Sequence, residues 1–132
     1  MTLDELHNLR ELAIRLNRIN EEIDRLRSFV MKVTSSFDGM PHSGQQHDAM
    51  AEDVAEAEVW IDRRIETAGK MMEEVMSLSD EISELTRPQA TVIFGYYAEG
   101  KSIRRMARDL HYSERNIYKL LKRGERRLTK QP

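Results

Sequence analysis

The sequence contains no cysteine, only three prolines and six glycines, and a single tryptophan. Without cysteine, a disulfide scaffold, a thiol nucleophile and a Cys-based zinc site are excluded. So few turn-forming residues argue against a many-stranded all-β fold. No apolar run approaches the roughly 18–20 residues needed to cross a bilayer, and no basic-then-apolar leader opens the chain. A phosphate-cradling glycine loop, HExxH and GxSxG are all missing. Asp38, His42, His47 and Asp48 have irregular spacing in a loop, unlike the tight patterns of zinc sites. The expectation is therefore a soluble, cytoplasmic, mostly helical protein of one domain or two small ones. It is expected to be no enzyme, with no cofactor, no metal and no membrane partner.

Charge is present in quantity but unevenly placed. The formal net charge is only -2. Residues 87–132 nevertheless carry twelve Lys/Arg against four acids, a balance of +8, and residues 1–86 carry nine against nineteen, a balance of −10. The average conceals an acidic front and a basic tail, and a basic tail favours an anionic partner.

The front reads as two amphipathic helices. Leu9, Leu12, Leu16, Ile19, Ile23, Leu26, Val30 and Val33 recur at alternating spacings of 3 and 4, the period of a coiled-coil seam. Thr2 and Glu5 fit a capping box at its start. Residues 34–47, with Gly39, Pro41 and Gly44, interrupt the pattern as a loop. Asp48 can cap a second helix, whose seam runs Met50, Val54, Ala57, Ile61, Arg64, Ala68, Met71, Val75, Leu78, Ile82 and Leu85. The matched lengths predict a long antiparallel hairpin over 1–86, with helices at about 3–34 and 48–85. In that register Arg64 falls beside Ile19 to Glu22, so Glu21 or Glu22 is its expected partner. Ile14, Phe29, Val59, Trp60, Ile65, Met72 and Met76 lie off the seam, and the surplus apolar surface predicts a further packing partner. A homodimer through the hairpin satisfies it.

The tail, 87–132, reads as three short helices. Thr86-Arg87-Pro88 signals a helix start, and Ala90, Ile93, Phe94 and Tyr97 mark its buried face. After Glu99-Gly100-Lys101, Ser102 caps a second helix bearing Ile103, Met106, Ala107 and Leu110. His111-Tyr112-Ser113 then turns the chain into a last helix whose buried side is Ile117, Leu120, Leu121 and Leu128. A short helix, a three-residue turn and a longer basic helix make a helix-turn-helix. Small Ala107 allows the two helices to cross closely, and Ile117 plugs their interface.

The N-terminal turn of such a last helix enters the major groove. Arg115 matches the paired acceptors of guanine, and Asn116 matches the donor and acceptor of adenine. Lys119, Lys122 and Arg123 suit phosphates. Ser113 and Glu114 stand at the helix start, where Glu114 either reads cytosine or only caps. Lys101, Arg104 and Arg105 of the preceding helix can grip the backbone across the groove. These ten residues are the candidate DNA-binding set.

The run YYAEGKSIRRMARDLHYSERNIYKLLKRGERRL resembles region four of sigma-70-type factors, the part that reads the −35 promoter element. The whole chain also resembles small phage and prophage proteins of Gram-positive bacteria, the ArpU/RinA-type late transcription regulators, in which a helical hairpin precedes a sigma-region-four-like domain. Glu99-Gly100-x-Ser102, Ala107, Leu110, Tyr112-Ser113 and Ile117-Tyr118 carry the likeness most specifically. It implies an all-α fold, promoter-type double-stranded DNA as ligand, RNA polymerase as a partner and a bacterial cytoplasm as the setting. Three residues depart from the pattern. His111 stands where glycine is usual, Arg104 and Arg105 where acids are usual, and Gly95 where a larger residue is usual. Two other functions share these features: a small-terminase-like DNA-recognition subunit of packaging machinery, and a coiled-coil adaptor that binds no DNA.

Overall fold

A computed structural model describes the backbone of residues 1–37 and 44–130, and the side chains of 1–35 and 50–130. Every regular element in it is helical: α1 Leu3–Phe37, α2 Gly44–Met76, α3 Leu78–Glu81, α4 Arg87–Ile93, α5 Ile103–Leu110 and α6 Glu114–Thr129. A 3₁₀ turn, Ile82–Glu84, follows α3, and α4 continues as a π-helical turn through Phe94–Ala98. The all-α hairpin followed by a helix-turn-helix is the architecture expected. The helices fall into two compact units, one formed by residues 1–17 with 70–132 and the other by residues 18–69.

Local signals set most boundaries. Thr2 accepts a hydrogen bond from the Glu5 backbone N–H at 3.1 Å, capping α1. Thr86 and Gln89 form a complete capping box at α4. Ser102 and Ser113 each accept from the third residue beyond, Arg105 and Asn116, at 3.1 Å. Three boundaries differ from expectation: α1 runs on to Phe37, past the expected end at about 34. The second helix starts at Gly44, four residues before Asp48, and ends at Met76 instead of continuing to 85. Serine explains the early end: the hydroxyls of Ser77, Ser79 and Ser83 donate to the carbonyls of Glu74, Met76 and Asp80. Hydroxyls that bond back to nearby carbonyls compete with the helical ladder. Of the expected 34–47 loop, residues 38–43 lie outside the described residues, as do the side chains of Asp38, His42, His47 and Asp48.

The larger unit has a continuous core. Tyr97, Ile93, Val92, Ile117 and Leu6 are fully buried, and Met106, Ala107, Leu121 and Leu128 nearly so. Leu6 and Leu78 belong to this cluster, with Leu9, Ile82 and Leu85 packed against it. Within this unit the tail helices thus share a core with the start of α1 and with the chain that follows α2. Ala13 is also buried; like Leu6 it lies beside the eight-residue seam read from the sequence, because the tail covers that flank of α1. Gly124 marks the tightest crossing, since a Cβ there would stand 2.5 Å from Ile93 Cγ1. At Gly95 the neighbour would be Met106 Sδ at 2.9 Å, so the missing side chain makes room for methionine.

The smaller unit, residues 18–69, is a section of two helices. Among its described residues, Ile23, Ala57 and Ile61 are the buried apolar side chains. Arg64, the polar interruption of the seam, donates through Nε to Glu22 Oε2 at 2.5 Å, one of the two partners expected. That bond holds the Glu22 carboxyl below its ordinary pKa. Phe29, Val59, Trp60 and Ile65 remain exposed.

Candidate nucleic-acid interface

The helix-turn-helix is α5, the turn His111–Ser113 and α6. His111 adopts a left-handed conformation, φ 58° and ψ 37°, which reverses the chain after α5 and lets the Tyr112 N–H reach the Ala107 carbonyl at 3.0 Å. A residue with a Cβ pays for that conformation where glycine would not. Ala107 and Ile117 are both buried where α5 and α6 meet, as their sizes suggested. Ser113 then starts α6 with an extended backbone and its hydroxyl oxygen on the Asn116 N–H. That contact occupies one lone pair of Ser113 and leaves its O–H free to donate.

The first turn of α6 carries Glu114, Arg115 and Asn116, all exposed, and Lys119 and Arg123 continue the exposed side. Ile117, Leu121 and Leu128 point the other way into the core. Glu114 stands where the helix dipole favours a carboxylate. Arg115, Lys119 and Arg123, with Arg104 on α5, have no acidic partner within ion-pair distance among the described residues. Each guanidinium or ammonium is open to an external anion.

The other three basic candidates are engaged. Arg105 Nε lies 3.7 Å from Asp109 Oδ2, an exposed pair one helical turn apart, of the kind worth little in water. Lys101 is partly covered, with Nζ 3.5 Å from Glu99 Oε2. Lys122 Nζ lies 3.4 Å from Glu125 Oε2 and 5.3 Å from the Tyr118 ring. Glu125 is itself buried, and its other oxygen accepts the Tyr97 hydroxyl at 2.6 Å. Burial first, and this hydrogen bond second, push the Tyr97 phenol far above its ordinary pKa, so it stays a donor. Lys122 is therefore the outer end of a polar chain anchored in the core, and its ammonium meets a phosphate only in competition with Glu125.

Several residues that shape this surface were not singled out in the sequence. Arg10 on α1 donates through Nη1 to the carbonyls of Tyr96 and, at 3.0 Å, of Lys101, and its guanidinium lies 3.7 Å from the centre of the Tyr96 ring. Asn17 donates to the Glu99 carbonyl at 3.0 Å. Together they hold the segment between α4 and α5, where Gly100 turns with φ +69° against Ile14 and Asn17. A basic residue at position 10 reads as a solvent-facing charge in a heptad, so nothing local marks it. Tyr118, half exposed beside Lys122, was named in the sequence only for the family likeness; its place on this surface was recoverable from helical arithmetic, since it lies three residues from Arg115 and four from Lys122.

Among the described residues, no group of three or more His, Asp or Glu is arranged to hold a metal, and no helix is long and apolar enough to cross a membrane. Residues 76–128 match the family model of sigma-70, region 4, a family of DNA-binding helix-turn-helix domains that contact RNA polymerase. The match begins at the last residue of α2 and ends near the close of α6, so it includes the serine-rich break and α3 as well as the three tail helices. Neither a curated protein nor a solved structure matches the chain significantly.

Proposed function

We propose that the chain is a phage or prophage transcription regulator of the ArpU/RinA type, which reads promoter-type duplex DNA through α6 and uses its hairpin for self-association. The observation that carries the reading is the exposed face of α6. Arg115 and Asn116 sit on its first turn behind the Ser113 cap, and Lys119 and Arg123 extend it. The match of this segment to sigma-70 region 4 supports the same ligand class and supports RNA polymerase as a partner.

In this reading Arg115 and Asn116 recognise base edges and Ser113 and Glu114 orient the helix start. Lys119 and Arg123, with Arg104, Arg105 and Lys101 from the α5 side, bind the phosphate backbone. Lys122 contributes less to phosphate binding than its sequence position suggests, because Glu125 holds it. The protein then acts by binding and recruitment, without a catalytic step.

Selection of bound fragments from a random duplex pool, followed by titration at several salt concentrations, tests the assignment. Affinity is expected to fall steeply as salt rises, through counterion release. Arg115→Ala is expected to relax preference at one position, at a cost of about 1–3 kcal/mol on the selected site. Arg123→Ala should weaken all sequences alike and flatten the salt dependence. Salt-insensitive or absent binding would instead favour the coiled-coil adaptor.

A further inference from the structure

The chain between the π-helical turn and α5 is fastened to α1 by its carbonyls. Its backbone donors are met locally: the Glu99 N–H reaches the Phe94 carbonyl at 3.1 Å, and the Lys101 N–H the Gly95 carbonyl at 2.9 Å. Its acceptors are met from a distance. Arg10 Nη1 donates to the carbonyls of Tyr96 and Lys101, and Asn17 Nδ2 to that of Glu99. Carbonyls at a helix end have no partner within the helix, so without these two side chains water would take their place. The Arg10 guanidinium also covers the Tyr96 ring. At Gly100 a Cβ would stand 3.2 Å from both Ile14 Cγ1 and Asn17 Nδ2, so the turn lies flush on α1.

We propose that Arg10 and Asn17 are positioning residues for duplex binding, which fix where α5 begins and so aim Lys101, Arg104 and Arg105 at the phosphate backbone. Lys101 has both its N–H and its carbonyl tied. It directly precedes Ser102, whose hydroxyl caps α5, and Arg104 and Arg105 follow within the first turn. A cation on a loosely held loop gives up part of its binding energy to ordering, whereas a loop already held gives up less. Arg10 is only partly exposed and its Nη1 is shared by two carbonyls, so it acts through the loop. The start of α6 is fixed separately, by the Ser113 cap and by buried Ile117 and Leu121. Phosphate binding from the α5 side therefore depends on α1, and base reading by Arg115 does not. The inference rests on the reading of α5 and α6 as the duplex-binding surface, and it extends the support of that surface beyond residues 76–128 to the start of α1.

A double-mutant cycle on the full chain, titrated with a duplex selected by the wild type, tests it. Lys101→Ala with Arg104→Ala should weaken the wild type about tenfold, but a chain carrying Arg10→Lys less than about threefold. Lysine keeps the charge and cannot bridge two carbonyls while covering a ring. Asn17→Ala alters an exposed residue and no charge, so the fold is kept, and it should shrink the same loss by a smaller factor. Hydrogen exchange at the Lys101 N–H should quicken at least about fivefold in both variants, and preference at the base read by Arg115 should persist. A merely structural role would lower affinity by one factor in every background. Equal losses across the cycle, unchanged exchange at Lys101, or loss of base preference would each overturn the proposal while the reading of α6 stands. A wild-type chain without salt-dependent duplex binding would remove both.

Discussion

The two units of this protein are built from the same material, amphipathic helix, and differ in what they do with their large side chains. In the unit that contains the tail, Tyr97, Ile93, Ile117, Met106 and Leu6 are all interior. Among the described residues of the 18–69 section, Ile23, Ala57 and Ile61 are buried, while the bulky Trp60 and Phe29 lie outside. Four short helices and the ends of two long ones can surround a core; two helices side by side can enclose only the line between them. The contrast separates a unit that encloses its bulky side chains from one that leaves them exposed.

The largest effect expected from this contrast comes from cutting the two cores equally. Ile117→Ala removes a fully buried side chain from the α5–α6 crossing and should cost about 2–5 kcal/mol in urea unfolding. Ile61→Ala, at the narrower seam, should cost distinctly less. Equal losses would mean that the hairpin section is as well enclosed as the tail, and the comparison would break.

An intermediate effect is expected at the Tyr97–Glu125–Lys122 chain. Tyr97→Phe keeps the ring but leaves a buried carboxylate oxygen without its donor, a loss of about 1–3 kcal/mol. The same change should release Glu125 to hold Lys122 more closely, so non-specific DNA affinity should fall slightly if Lys122 reaches phosphate at all. An unchanged unfolding midpoint would show that Glu125 finds another donor.

The smallest effect concerns the turn. His111→Gly should stabilise the tail by roughly 0.5–1 kcal/mol, because glycine adopts the left-handed backbone without the Cβ penalty while gaining freedom in the unfolded chain. A thermal melt resolves it. Destabilisation would mean that the imidazole makes a contact worth more than the strain.

The helix-turn-helix was legible because its signals are local. Ser102 and Ser113 accept the backbone N–H groups that a helix start leaves open, and the spacing of Met106, Ala107, Ile117 and Leu121 defines one buried side. Arg64 with Glu22 was legible too, since an antiparallel register follows from matched helix lengths. The break at Ser77 was harder to see: the apolar period passes through it undisturbed, and only the back-bonding hydroxyls interrupt the helix. Arg10 and Asn17 were not legible, because their partners are backbone carbonyls more than eighty residues away in sequence.

By itself, then, the sequence determined the all-helical class, the hairpin, the chain reversal at His111–Ser113 and the exposed basic side of α6, all of which depend on spacings within a few turns. Tertiary structure decided which of those cations remain open: Lys122 is drawn onto Glu125, whereas Arg115, Lys119 and Arg123 are not. It also decided that the N-terminal end of α1 shares a core with the tail. Both outcomes depend on which distant groups meet in space, a quantity no local period encodes.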